Sequence, residues 1–194
     1  MRHAGPITTL TVPGLSCSGA GHWQSLWEAE RADCRRVEMD SWDDPTRDQW
    51  VTGLDRAVRA AAGRLVLVAH SLGCLAVAWW AAGPGRDQLA RIGGALLVAP
   101  PDVDRPDADP RLRRFAPTPP DALPFPAVLV GSRDDPYATI ARLRVIADGW
   151  GATFVDAGAI GHINARSGLG DWPAGQQLLD RLIARAERRE GQAA

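Results

Sequence analysis

The sequence contains no lysine: all 22 of its basic residues are arginine. This absence excludes Schiff-base chemistry, covalent attachment of pyridoxal phosphate and the lysine of a phosphate-binding loop. Cysteine is also scarce, with only Cys17, Cys34 and Cys74. Their odd number argues against a disulfide framework, and no pair has the close spacing of metal ligands. We therefore expect neither a metal site nor a bound cofactor.

Long apolar runs are missing as well. None approaches the roughly 20 residues that a membrane span needs, and the N-terminal apolar stretch is too brief for a secretory signal. The formal net charge of -1 gives no general attraction to nucleic acid or to an anionic membrane. The arginine-rich segment 181–189 has the spacing of a solvated helix face. We expect a cytoplasmic protein that binds neither nucleic acid nor membranes, and the choice between monomer and homodimer stays open.

Strand-like and helix-like segments alternate along the 194 residues, which we interpret as one domain, 1–194. The fold class is predicted as α/β, with a mostly parallel sheet of about six strands between two helical layers and no large cap domain. A proline-rich segment at about 101–124 is expected to form a short flap, with a helical turn at 111–115. Strands are predicted at 7–12, 36–39, 65–68, 92–98, 127–131 and 153–155, and helices at 22–32, 46–62, 75–80, 137–149 and 174–187.

The segment 69–73, Ala-His-Ser-Leu-Gly, is the most informative part of the chain. It follows an apolar strand and precedes an apolar helix, with the small residues Ala69 and Gly73 on either side of Ser71. A serine at such a tight strand-to-helix turn is typical of a nucleophile elbow, in which strain presents the hydroxyl to a substrate. The pattern predicts a serine hydrolase. The alternative is that Ser71 only caps the helix.

A serine nucleophile needs a base, and the chain has four histidines. His3 is close to the terminus, the ring of His70 is expected to point away from Ser71, and His22 opens the first helix and could line a pocket. His162 follows the last predicted strand in a loop that contains glycine, so this loop can reach over the sheet edge. We predict that His162 is the base; the alternative is a structural histidine.

The orienting acid is expected in the segment 131–136, which follows a strand and precedes a helix. Pro136 near a helix start would hold Asp135 extended and outside the helix, so Asp135 is predicted to point at His162. Its chief rival is Asp134, which would otherwise cap the helix or face solvent. The order Ser71, Asp135, His162, each after a strand, is the order expected for α/β-hydrolases.

Donors for the oxyanion are expected from two backbone N–H groups. One is that of Leu72, directly after the nucleophile, and the other comes from the loop after the first strand. Pro13 has no N–H, so Gly14, Leu15 or Ser16 must supply the second donor. We predict Leu15, because Gly14 is needed for the turn.

Several aromatic residues are candidates for a shallow apolar substrate pocket: Trp23, Trp42 and Phe115, together with Trp172. The alternative is that these large side chains fill a small core. Cys74, three residues after Ser71, is expected in the core.

With these residues in hand, the chain resembles the small serine hydrolases of the α/β-hydrolase superfamily that include the retinoblastoma-binding hydrolase and its bacterial relatives. The resemblance implies a compact, lidless α/β-hydrolase core with Ser71, Asp135 and His162 as its triad. Two features depart from the family: Ala69 replaces the usual glycine, and the Leu-x-Cys-x-Glu element is absent, so binding to pocket proteins is not implied. The matching segments are Val12-Pro13-Gly14, His22-Trp23-Gln24, His70-Ser71-Leu72-Gly73, Asp134-Asp135-Pro136-Tyr137, Gly161-His162-Ile163-Asn164 and Trp172-Pro173-Ala174-Gly175.

The resemblance also implies esterase-like activity. Our hypothesis is a carboxylesterase-like enzyme that cleaves small acyl esters through an acyl-enzyme intermediate, with the acyl substrate and water as its only partners. One alternative is a catalytically weak α/β-hydrolase scaffold that binds another protein. A nucleotide-binding domain is a third hypothesis, although the glycine fingerprint of that class is missing.

Overall fold

A computed structural model describes residues 7–193, with side chains described up to Arg188. In that range the strands are β1 Thr8–Val12, β2 Cys34–Arg36, β3 Leu65–His70, β4 Ile92–Val98, β5 Ala127–Gly131 and β6 Thr153–Asp156. The α-helices are α1 Trp23–Glu30, α2 Arg47–Ala60, α3 Leu72–Ala82, α4 Pro110–Arg113, α5 Ile140–Trp150 and α6 Pro173–Ala193. Short 3-10 helices lie at Pro84–Asp87, Leu89–Arg91 and Ala165–Ser167.

The strands form one sheet in the order β2-β1-β3-β4-β5-β6, and every neighbouring pair is parallel. Central strands β3 and β4 are buried along their whole length, which explains why their sequences are continuous apolar runs. The predicted fold class is confirmed: a parallel sheet of six strands covered by helices, without a large cap domain. Because all strands run the same way, their carboxyl ends meet at one edge of the sheet.

Two apolar clusters cover the two faces of this sheet. Helices α2, α3 and α5 pack on one face, where Trp50, Leu54 and Val58 form the buried stripe of α2. Helices α1 and α6 pack on the other face, where Trp23 and Trp27 of α1 meet the sheet. A fully buried side chain of this size contributes about 2–3 kcal/mol through the hydrophobic effect. The layers therefore hold the sheet edge, and whatever lies on it, in a fixed position.

Several predicted element ends differ from those in the structure, and two of the differences have a clear physical cause. The strand expected at 36–39 lies at Cys34–Arg36, because β1 pairs with those residues; Val37 and Met39 follow it and supply the buried positions that suggested a strand. The helix expected from Tyr137 begins at Ile140, because the side chain of Thr139 accepts the Arg142 N–H and caps it there.

The segment expected as a flap connects β4 to β5 and contains the short helix α4. Leu112 and Phe115 are buried and anchor it to the body of the protein. Its first part is tied down by Arg142 of α5, which forms ion pairs with Asp102 and Asp104. Cys74 lies fully buried in the core on α3. The flap is thus packed onto the sheet edge.

Candidate active site

Ser71 occupies the turn between β3 and α3 in a strained conformation, with φ 53 and ψ -125. A positive φ costs a residue other than glycine roughly 1–2 kcal/mol, and such strain persists only where the surroundings enforce it. The Ser71 N–H donates to the Val98 carbonyl at 2.8 Å. Gly73 lets α3 approach β1, because a Cβ there would lie 2.3 Å from the Val12 carbonyl oxygen. The local sequence thus forces the serine side chain outwards at the carboxyl edge of the sheet.

The hydroxyl of Ser71 meets an imidazole and, behind it, a carboxylate. Ser71 Oγ lies 2.9 Å from His162 Nε2, and His162 Nδ1 lies 2.8 Å from Asp135 Oδ2. Because a carboxylate can only accept, Nδ1 carries the proton and Nε2 is free to accept from the hydroxyl. The His162 side chain is 9% exposed and that of Asp135 is 0% exposed. Both side chains are thus shielded while Nε2 faces the serine.

Asp135 is oriented by a turn of its own backbone. Its Oδ1 accepts the Tyr137 N–H at 2.9 Å, which leaves Oδ2 for the histidine. The Tyr137 ring lies against the His162 ring, with centroids 4.5 Å apart. The argument from Pro136 was only partly right: this proline restricts Asp135, but α5 begins four residues later, at Ile140.

The sequence suggested that Asp134 caps a helix or faces solvent without a partner. The structure shows neither role for Asp134. Although exposed, its Oδ1 accepts from the Ser132 hydroxyl and from the Gly161 N–H, both at 2.8 Å. These two hydrogen bonds lower the pKa of its carboxyl group. Ser132 Oγ also accepts the Ile160 N–H at 3.0 Å. Asp134 and Ser132 therefore fix the loop that carries His162.

Two further histidines pack beneath His162. His70 is buried and its Nε2 donates to the His162 carbonyl at 2.9 Å. Burial is the main cause that holds the pKa of His70 well below its usual value, and the nearby His162 and His22 add to it. His22 caps α1 by accepting the Gln24 N–H at 3.1 Å. Burial is the main cause that lowers the pKa of His22 to about 4, and the charges of Arg36 and His162 lower it further. Both rings are neutral at neutral pH. His3 lies outside the described residues.

Three candidate oxyanion donors are uncommitted. In the part of the chain that the structure describes, the N–H groups of Leu72, Leu15 and Gly14 donate to no other group. The Ser16 N–H is unsuited, because it donates to the Trp42 carbonyl at 2.8 Å. Gly14 packs so closely on the nucleophile that a Cβ there would lie 2.7 Å from Ser71 Cβ. Gly14 and Leu15 thus remain as sources of the second donor.

A cleft of about 370 Å³ opens above Ser71. Its walls are largely polar, whereas the sequence suggested an apolar pocket. Leu15 and Leu112 provide its aliphatic side chains, and the flap contributes Leu112 to it. The other residues around its mouth include Cys17, Asp109, Arg111, Tyr137, Asn164 and Arg166.

The aromatic residues predicted for this pocket lie elsewhere. Trp23 is buried and donates from Nε1 to the Ile163 carbonyl at 2.8 Å, so it supports the histidine loop from below. Trp172 packs beside it, with ring centroids 5.1 Å apart. Trp42 and Phe115 both pack on Trp50, with their rings edge to face. These aromatic side chains pack in the core, which was the alternative to a pocket.

Four residues that line the cleft were not predicted to do so: Tyr137, Asn164, Arg111 and Arg166. Tyr137 and Asn164 stand two positions after Asp135 and His162, so their nearness along the chain was an available signal. Arg111 and Arg166 had no such signal, because long surface arginines are frequent in this sequence. Among the side chains described, those of residues 7–188, no group of three or more His, Cys, Asp or Glu is placed to hold a metal ion. No helix described there combines the length and apolar character needed to cross a bilayer.

Comparison with solved structures found proteins of the same fold, among them hydrolases. The chain is similar to a protein described as a YdeN-like hydrolase from Pectobacterium atrosepticum, with 31% identity, TM-score 0.78 and coverage of 93% of this chain and 91% of that one. It is also similar to the ydeN gene product of B. subtilis, with 16% identity, TM-score 0.71 and coverage of 92% and 100%. Est1E from Butyrivibrio proteoclasticus, solved with ferulic acid, shares the fold at 15% identity and TM-score 0.66, with coverage of 92% and 90%.

The chain has no significant match among curated proteins. Residues 9–181 match the family model described as serine hydrolase. That match covers most of the sequence and includes the nucleophile turn, the aspartate segment and the histidine loop. The resemblance inferred from the sequence is confirmed, and the chain belongs to the serine hydrolase family.

Proposed function

We propose that this protein is a carboxylesterase-like serine hydrolase that cleaves small acyl esters through an acyl-enzyme intermediate. The observation that carries the proposal is the pair of hydrogen bonds from Ser71 Oγ to His162 Nε2, 2.9 Å, and from His162 Nδ1 to Asp135 Oδ2, 2.8 Å. Three groups in this relation can activate a hydroxyl that is otherwise a weak nucleophile.

In the first half-reaction, Ser71 Oγ attacks the ester carbonyl carbon while its proton passes to His162 Nε2. Asp135 keeps the imidazole in the required tautomer and stabilises the imidazolium that forms. The imidazolium then gives its proton to the leaving oxygen as the ester bond breaks. In the second half, water attacks the acyl carbon while His162 takes its proton. The imidazolium then returns this proton to Ser71 Oγ as the bond between Oγ and the acyl group breaks, and the carboxylic acid is released.

The negative charge that develops on the carbonyl oxygen needs donors already in place. We assign this role to the N–H groups of Leu72 and Leu15, which have no other partner in the described chain. Loss of one such donor typically costs about 3 kcal/mol of transition-state stabilisation. Because the second donor sits on the loop held over Ser71 by Gly14, small shifts of that loop should affect the rate.

The dimensions of the cleft favour a small acyl group. A volume of about 370 Å³ with only Leu15 and Leu112 as aliphatic walls offers little apolar surface to a long chain. The flap residue Leu112 should set the limit of chain length. Short-chain esters are therefore the expected substrates.

A fluorophosphonate probe tests the proposal directly, because it reacts only with an activated serine. We expect labelling of the wild-type protein and none of Ser71→Ala, together with a loss of p-nitrophenyl acetate hydrolysis of about 10⁴-fold or more. Ser41→Ala is the matched control, since Ser41 lies outside the cleft, in the turn before α2. Equal labelling of Ser71→Ala and wild type would contradict the proposal.

A further inference from the structure

Arg166 is a charged residue of the cleft that the proposed chemistry does not use. It follows the His162 loop in the 3-10 helix Ala165–Ser167, is exposed, and lines the mouth of the cleft. We propose that Arg166 selects esters whose leaving group carries a carboxylate. This inference rests on the proposed esterase function and names its substrate class.

The cleft has two arginines, and only Arg166 is available for a ligand. Arg111 is neutralised by Asp109, with Nη2 and Nε at 2.6 Å and 3.0 Å from its carboxylate oxygens. Within the described residues, the Arg166 guanidinium forms no ion pair and no hydrogen bond; only its backbone N–H is engaged, with Asn164 Oδ1 at 2.9 Å. The cleft mouth therefore carries one unneutralised positive charge.

The position of Arg166 relative to the base assigns it to the leaving-group half of the substrate. The leaving oxygen receives its proton from His162 Nε2, so it must lie beside that ring. A groove of about 330 Å³ continues from the cleft on this side and shares Tyr137, His162, Asn164 and Arg166 with it. An alcohol or phenol that leaves past His162 enters this groove and reaches Arg166.

The chemistry of the groove favours a carboxylate over a doubly charged phosphate. A guanidinium binds a carboxylate through two parallel hydrogen bonds. A single free arginine matches a single negative charge, whereas the Asp134 carboxylate on the wall of the groove would oppose a second one. The leaving group is thus a monoanionic alcohol or phenol.

A matched pair of acetate esters tests this assignment. The substrates are 4-acetoxybenzoate, whose leaving group carries a carboxylate, and methyl 4-acetoxybenzoate, which is neutral and has the same acyl group. The readout is the ratio of kcat/KM for the charged ester to that for the neutral ester. Comparing this ratio between proteins removes the intrinsic difference in leaving-group reactivity and any loss of turnover common to both esters.

We expect the ratio to fall about fivefold in Arg166→Gln, which is the size of effect typical of losing one partly exposed charge pair. Arg166→Lys keeps the positive charge and should largely retain the ratio. Arg113→Gln is the control, because Arg113 is exposed on α4 but does not line the cleft; its ratio should equal that of the wild type. Raising the ionic strength should lower the ratio in the wild-type protein itself, which tests the idea without any variant.

Three outcomes would overturn the inference. A ratio unchanged in Arg166→Gln and insensitive to salt would exclude a role for this charge. A charge preference found only in the acyl half, with mono-p-nitrophenyl succinate favoured over p-nitrophenyl butyrate, would refute the assignment to the leaving group. Failure of the wild-type protein to hydrolyse either acetate ester or to react with a fluorophosphonate would refute the proposed function, and the inference with it.

Discussion

Replacement of Gly14 by alanine should displace the loop that faces the nucleophile and carries the proposed oxyanion donor. An alanine Cβ at this position would lie 2.7 Å from Ser71 Cβ and 3.2 Å from Ser71 Oγ. Carbon atoms in contact normally stand about 3.5–4 Å apart, so something must move by roughly 1 Å. Ser71 is held by the Val98 carbonyl and by the start of α3, so the 13–17 loop with its oxyanion donor must take up most of the shift.

A misplacement of about 1 Å in a catalytic group typically costs about 10²-fold in rate, or about 3 kcal/mol. We therefore expect Gly14→Ala to lower kcat/KM for p-nitrophenyl acetate by about two orders of magnitude. Overpacking of this kind also destabilises proteins by about 1–3 kcal/mol, so the assay belongs well below the melting temperature.

Gly19 provides the matched control in the same loop region. A Cβ added at Gly19 meets nothing within 4 Å, and neither glycine has a positive φ that would exclude alanine. Gly19→Ala should keep wild-type kcat/KM and the wild-type rate of fluorophosphonate labelling. If Gly14→Ala proved as active as Gly19→Ala, the loop would not position the donors, and the assignment of the oxyanion site to this loop would be wrong.

Two further predictions concern the aspartate pair and the buried histidines. Asp134→Ala should lower kcat about tenfold, because it releases the Gly161 N–H, and Asp134→Asn should keep most of the rate because its amide oxygen can still accept. Asp135→Asn should lower kcat about 10⁴-fold in the same ester assay. Equal effects of the two asparagine variants would contradict these roles. The pKa of His22 is about 4 in the folded protein and 6.5 in its ordinary state. As the pH falls from 6.5 to 4, His22 therefore binds a proton in the unfolded chain but not in the folded protein, and the free energy of unfolding decreases. Urea titrations should show that His22 lowers the free energy of unfolding by about 3 kcal/mol over this pH range. The His22→Asn variant keeps a helix-capping side chain and should lack this loss. An identical dependence of stability on pH in both proteins would count against the burial argument.

The sequence predicted the central strands well because burial on both faces leaves an unambiguous pattern. The strand prediction at 92–98 agrees with β4 at both ends, and the same holds for 127–131 and β5. The edge strand β2 was displaced by two residues, since a short edge strand is defined by its pairing with β1 and not by its own apolar pattern. The start of α5 depended on a single capping side chain, Thr139.

The residues that meet at the cleft could be predicted because parallel topology restricts where they can be. Ser71, Asp135 and His162 all follow the carboxyl ends of strands, and in a parallel sheet those ends share one edge. The chain order then left few choices. Their distances required the folded structure, because the hydrogen bonds that set them, such as Trp23 Nε1 to the Ile163 carbonyl, join residues far apart in sequence.

The lining of the cleft could not be predicted for the same reason. A tryptophan can face a pocket or fill a core, and its sequence context is the same in both cases. Trp23 and Phe115 were assigned to the pocket, but they are enclosed by Trp172 and Trp50, which lie far from them in the sequence. The interest of Arg166 depended on the folded structure, in which its guanidinium forms no ion pair with any described carboxylate.

The aromatic core beneath the cleft also bears on the proposed chemistry. Packing by Trp23 and its neighbours buries His70, and this burial keeps His70 neutral. In the proposed mechanism a positive charge forms on His162, whose ring centroid lies 4.9 Å from that of His70. A charge on His70 would oppose it by about 3 kcal/mol at an effective dielectric constant of about 20, which is roughly two orders of magnitude in rate. Apolar burial next to the base therefore lowers the energy of the transition state as well as that of the folded protein.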